Sequence, residues 1–156
     1  MQFNRSFLLL TLLTLLLSLP SFSQAKGFGA GIVLGEPTGF SVKSWTSTVT
    51  AWDAALAWSF ARETNLDFHA DYLWHDFSFI HASEELIPLY YGFGGRIKSS
   101  SKSGDSRIGI RIVGGIAYLF PKEPIDIFLE IAPIIDVTPS TEISFNSGIG
   151  ARYYFK

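Results

Sequence analysis

Leu66-Asp67-Phe68-His69-Ala70-Asp71-Tyr72-Leu73-Trp74-His75 changes character at every step. Leu66, Phe68, Ala70, Tyr72 and Trp74 share one parity, and Asp67, His69, Asp71 and Leu73 share the other. Successive side chains of a strand point to opposite faces. The stretch therefore reads as a strand with one apolar face and one largely polar face. On a helix the same residues would be scattered around the circumference.

The same period recurs on both sides of this segment. Strands are expected at about 27–35, 40–46, 49–60, 66–75, 87–98, 107–119, 125–137 and 143–155. Turn signals separate them: Glu36-Pro37-Thr38-Gly39, Ala61–Asn65, the Ser-rich Ser99–Ser106, Pro121-Lys122-Glu123-Pro124 and Thr138–Thr141. Asp76–Leu86 is the longest irregular stretch, and Pro133 is expected to weaken the second half of its strand. Segments of this length match a tilted strand crossing a bilayer, which needs roughly 9–11 residues.

The N-terminus carries an export signal. Arg5 supplies a positive charge, Phe7 to Leu19 is an apolar run, and a cut after Ala25 would leave Ser23 and Ala25 at the −3 and −1 positions. Residues 1–25 read as a cleaved signal peptide, and 26–156 as a single outer-membrane β-barrel domain. An uncleaved anchor is the alternative, but the apolar run is short for a span. The sequence has no cysteine, which excludes a disulfide framework and a lipid-modified N-terminal cysteine. A formal net charge of −2 has the wrong sign for a nucleic-acid surface.

Charged residues make up 17% of the chain, against about 25% in ordinary soluble domains. After the leader no apolar run is long enough for a transmembrane helix. A membrane protein without such helices must close its strands into a barrel, because only closure satisfies every backbone group in lipid. The expected fold is therefore all-β: a closed, antiparallel, up-and-down transmembrane barrel of about eight strands.

Alternation is also found in soluble barrels, whose apolar side chains point inward. Two features favour the membrane. The polar face is mostly Gly, Ala and Ser with a few charges, a poor coat against water but a good filling for a narrow interior. Trp52, Trp58, Phe60, Trp74, Tyr118, Tyr153 and Phe155 lie toward segment ends, where rings would meet lipid headgroups. With the apolar face outward, Asp67, His69, Asp71, Arg96, Arg111, Asp126, Glu130 and Arg152 point inward. An eight-stranded barrel is just wide enough for side chains to fill, and unpaired buried charge is expensive. These residues are expected to form a structural charge network that plugs the lumen. Lys98 and Arg107, beside the Ser-rich loop, are expected at a rim.

Three stretches carry a resemblance: Tyr90-Tyr91-Gly92-Phe93-Gly94-Gly95-Arg96, Phe128-Leu129-Glu130-Ile131-Ala132-Pro133 and Gly148-Ile149-Gly150-Ala151-Arg152-Tyr153-Tyr154-Phe155. Broadly, the chain resembles small OmpA/OmpX-type outer-membrane barrels. More narrowly, it is similar to a family of short outer-membrane β-barrel proteins noted in spirochaetes. The resemblance implies eight strands, insertion by the outer-membrane assembly machinery through the C-terminal strand, and a largely uncharacterised role; a non-enzymatic part in envelope structure or surface interaction is the function expected. It also implies a possible extracellular protein ligand, since some relatives are linked to host proteins. The chain departs from the usual aromatic C-terminus by adding Lys156 after Phe155. With both termini periplasmic, the Asp76–Leu86 connection would also face the periplasm, whereas long loops normally face outward.

Catalytic and cofactor chemistry has little support. His81-Ala82-Ser83, with Glu84 or Glu85, is similar in outline to the His-x-Ser of outer-membrane lipid A deacylases, but Glu84 replaces the expected Asn. A lipid A-modifying enzyme is the alternative function, and a pore is a weaker third. Asp67-x-His69-x-Asp71 could offer metal ligands on one strand face, yet alternate residues lie about 7 Å apart, too far for easy chelation. Gly27–Gly31 has a Gly-x-Gly-x-Gly spacing without a following helix, so no nucleotide loop is supported. No cofactor and no metal are expected.

Overall fold

In the computed structural model, the described residues are 27–59, 65–80, 86–100 and 106–155. They form eight strands: β1 Phe28–Glu36, β2 Thr38–Trp45, β3 Thr50–Ser59, β4 Asn65–Asp76, β5 Leu89–Ser100, β6 Ser106–Leu119, β7 Ile125–Thr138 and β8 Glu142–Phe155. Each strand pairs antiparallel with the next, and β1 pairs with β8 to close the barrel. Closure runs from Phe28↔Phe155 to Glu36↔Ser147 and leaves these two strands no free edge along that length. Strand ends lie within two residues of the sequence expectation. The leader, residues 60–64 between β3 and β4, His81–Glu85, residues 101–105 of the expected Ser-rich loop and Lys156 fall outside the described residues.

One local expectation is corrected, and the structure shows how another is met. The expected turn Glu36–Gly39 contracts to a bend at Pro37, with strand on both sides. Thr38 makes this possible: its hydroxyl accepts from the Gly35 N–H at 3.0 Å and donates to the Gly35 carbonyl at 2.9 Å. Pro133 loosens one side of its strand, and β7 runs on to Thr138 as expected. Proline removes one donor, so the ladder to β6 skips Ala132 and Pro133, while Pro133 stays paired with Phe145 of β8.

The parity of the alternation is inverted relative to a soluble barrel. Outward-facing Phe40, Phe93, Ile131 and Phe145 are 62%, 59%, 62% and 71% exposed. Inward-facing Lys43, Asp67, Arg111 and Asp126 are each no more than 1% exposed. The apolar side chains thus form the outer surface, and the ionisable ones occupy the centre.

Small residues let neighbouring strands pair closely where side chains would crowd the narrow interior. A Cβ on Gly31 would sit 2.7 Å from the Cα of Arg152, so only glycine fits against β8 there.

The two rims differ. The end carrying both termini also carries Trp52, Tyr72, Trp74, Tyr91, Tyr118 and Tyr153. Rings pack edge to face between Trp52 and Tyr72 (5.0 Å) and between Tyr72 and Trp74 (4.9 Å), while Trp74 stacks on Tyr91 at 6.2 Å. At the opposite end Trp58 meets Phe40 at 6.2 Å, and the expected rim residue Phe60 is outside the described residues. The long β4–β5 connection also lies at the end with the termini. It is fastened there by Leu119 N–H donating to the Leu86 carbonyl at 2.9 Å and by Ala117 N–H donating to the Pro88 carbonyl at 3.0 Å.

Candidate functional site: the charged interior

The interior holds three groups, each built around one arginine. Nearest the far rim, Arg96 of β5 donates from Nη2 to both oxygens of Asp136 at 2.7 Å and to Ser144 Oγ at 3.1 Å. Its Nη1 lies 3.8 Å from Asp67, whose other oxygen accepts from His69 Nδ1 at 3.4 Å. Midway down, Arg111 of β6 donates from Nε to Asp71 at 2.9 Å and from Nη2 to Glu130. The Tyr90 hydroxyl donates to the second oxygen of Glu130 at 3.1 Å.

Arg152 of β8 anchors the third group. It donates to Ser41 Oγ at 2.9 Å and to Asp53, and lies 3.6 Å from Asp126. Its guanidinium stacks 3.8 Å over the Phe128 ring, and the Tyr154 hydroxyl donates to Asp126 at 2.6 Å.

All eight residues expected inside are there, but their partners were not foreseen. Asp53, Asp136 and Lys43 are equally buried members of the charged interior. Asp53 and Lys43 have the inward parity, which was the available signal. Asp136 follows Pro133, where the strand was expected to weaken. Lys43 Nζ donates to His75 Nε2 at 2.8 Å and sits 4.7 Å over the Trp45 ring. Because Nε2 accepts, His75 Nδ1 carries the hydrogen and faces the Val49 carbonyl at 3.2 Å. Of the two expected rim cations, Arg107 pairs with Glu142 at 2.7 Å with both side chains about half exposed, and Lys98 is half-buried.

One metal-capable set emerges among the described residues. Ligand atoms of His69, Asp71 and Glu130 all lie within 4.8 Å of one another. The Cα spacing along β4 argued against chelation from one strand alone. The side chains converge because Glu130 reaches in from β7, and Asp67 turns away toward Arg96. A residual cavity has about 20 Å³ of room for a water's centre, and His69, Arg111, Glu130, Asn146 and Arg152 contribute to its lining. A single water needs roughly 10–15 Å³ by this measure. Among the described residues neither His69 nor His75 has a hydroxyl partner, and the His81-Ala82-Ser83 candidate lies outside them.

A solved structure shares this architecture. The N-terminal β-barrel domain of Pseudomonas aeruginosa OprF superposes with a TM-score of 0.66 at 11% sequence identity, covering 83% of this chain and 98% of that one. The chain has an OmpA-type barrel fold. No protein-family model and no curated protein matches the sequence. At this identity the likeness concerns the backbone fold alone.

Proposed function

We propose that this OmpA-type barrel is a non-enzymatic integral protein of the outer membrane of a Gram-negative-type bacterium. It serves envelope structure or interaction at the cell surface, with a lumen plugged by its own side chains. Sidedness carries the reading: large apolar side chains cover the outside while paired charges fill the inside. Water would not tolerate that outer surface over eight strands, and lipid would. Rings concentrated at one rim suit a membrane interface. Residues 1–25 direct export and are removed, and the C-terminal strand ending in Phe155 engages the assembly machinery. Both termini, and with them the β4–β5 connection, then face the periplasm.

Heat-modifiable gel mobility of the protein extracted from outer membranes tests this. The folded barrel is expected to migrate differently from the boiled one. Recovery of the mature chain as a dissolved periplasmic species would overturn the reading. A plugged lumen with room for about one water predicts no stepwise ion conductance in planar bilayers. Lipid A of unchanged mass with and without the protein is expected of a non-enzyme.

A further inference from the structure

The buried charges of the described interior do not balance. Asp53, Asp67, Asp71, Asp126, Asp136 and Glu130 contribute six negative charges, while Lys43, Arg96, Arg111 and Arg152 contribute four positive ones. The shortfall has a location. In the lower group Arg152 faces Asp53 and Asp126, and Lys43 lies in the same half of the barrel. Arg96, by contrast, faces both Asp67 and Asp136, and Arg111 faces both Asp71 and Glu130. Each of these two groups is one positive charge short, and His69 stands between them. Uncompensated charge away from water is costly.

His69 is prepared as a ligand. Its Nδ1 faces Asp67, which fixes the tautomer with a free lone pair on Nε2. No described group bonds that second nitrogen. Asp71 is 1% exposed, and its Oδ1 is buried without a hydrogen-bond partner, since Arg111 takes only Oδ2. Glu130 accepts from Arg111 and Tyr90, but a carboxylate has about four lone-pair sites, so capacity remains. We propose that His69, Asp71 and Glu130 bind one first-row divalent cation, with Asp67 as the residue that positions the imidazole.

One imidazole with two carboxylates is a donor set suited to Zn²⁺ or Mn²⁺. Bonds of about 2.0–2.2 Å require the ligand atoms, now within 4.8 Å of one another, each to draw in by up to about 0.6–0.8 Å, a shift within reach of side-chain rotation. Two added charges would cancel the shortfall of both neighbouring groups. The residual cavity touches His69 and Glu130 on one side and Glu36 and Pro37, near the far rim, on the other.

The site rests on the closed barrel and not on the surrounding membrane. Tag-free 26–156 is refolded in detergent, stripped with chelator, and checked for heat-modifiable mobility before metal is added. A loss of metal binding is thereby separated from a loss of fold. Calorimetric titration with Zn²⁺ is expected to give one ion per chain, and Co²⁺ to develop visible ligand-field absorption. Asp67→Asn is expected to weaken binding about 10–100-fold, His69→Gln to weaken it further, and His81→Gln to leave it unchanged. Should His69→Gln fail to fold, nitrogen NMR of the wild type decides, because the chain has three histidines. Zn²⁺ must shift the His69 ring signals and spare those of His75. Absence of stoichiometric binding by a folded wild type, full binding by folded His69→Gln, or an unmoved His69 ring would each overturn the site.

Discussion

Arg111→Met tests the charged interior where its energetics are sharpest. Arg111 is 1% exposed and is shared between Asp71, at 2.9 Å, and Glu130. At an effective dielectric of about 20, unit charges ~3 Å apart attract by roughly 5–6 kcal/mol. Desolvation of both partners offsets most of that gain, so the intact pair adds little net stability. Methionine fills much of the volume but leaves two inward carboxylates beside each other without their cation. Breaking a buried pair from one side costs about 3–5 kcal/mol. Glu130 retains some exposure, 12% of its side chain, which places the expected loss at about 3–4 kcal/mol. The chain has four tryptophans, so fluorescence in lipid vesicles can follow urea unfolding. With a slope of roughly 1–3 kcal/mol per M, the midpoint should fall by about 2 M. The triple variant Arg111→Met, Asp71→Asn, Glu130→Gln should recover most of the loss, because the isosteres no longer carry charge. A single Arg111→Met variant within about 1 kcal/mol of wild type would refute buried ion pairing, since exposed pairs are worth no more than that.

Other perturbations probe different links. Ile131→Arg places a charge at mid-strand on the outer face and should cost about 2–4 kcal/mol in vesicle-based unfolding, whereas Phe145→Arg, nearer the far rim, should cost about 0–1 kcal/mol; equal tolerance of both would contradict a lipid-facing surface. Gly31→Val drives a branched side chain into the paired strand β8, and the heat-modifiable folded fraction should drop sharply; wild-type yield would show that the β1–β8 seam can give way. Trp74→Ala removes rings 4.9 Å from Tyr72 and 5.7 Å from Phe93, for an expected loss of about 1–3 kcal/mol. Trp58→Ala, with Phe40 as its aromatic neighbour, should lose less in the same assay; the reverse order would count against a girdle at one rim.

What the sequence revealed, and what it concealed, follows from the symmetry of a barrel. Every strand faces the same two environments, so parity is imposed eight times over and is readable from one stretch such as Leu66–His75. The partner of an inward side chain is set by different information. Strands stagger around the barrel, so residues that meet across the lumen belong to distant positions with no common period. Glu130 lies on β7 between the strands of Arg111 and Arg152, but the stagger gives it to Arg111 and sends Arg152 across the lumen to Asp53 of β3. Asp53 stands among inward alanines of β3, where parity marked it as inward but gave it no neighbouring charge along the strand to pair with. Asp136 was hidden by Pro133, because a missing donor suggests a broken strand unless the other neighbour keeps its pairing. The convergence of His69, Asp71 and Glu130 was concealed in the same way. Spacing along β4 gave a correct distance between Cα positions and no account of a third ligand arriving from β7. Local chemistry therefore sets which side chains enter the lumen, and the shear of the closed sheet sets which of them meet.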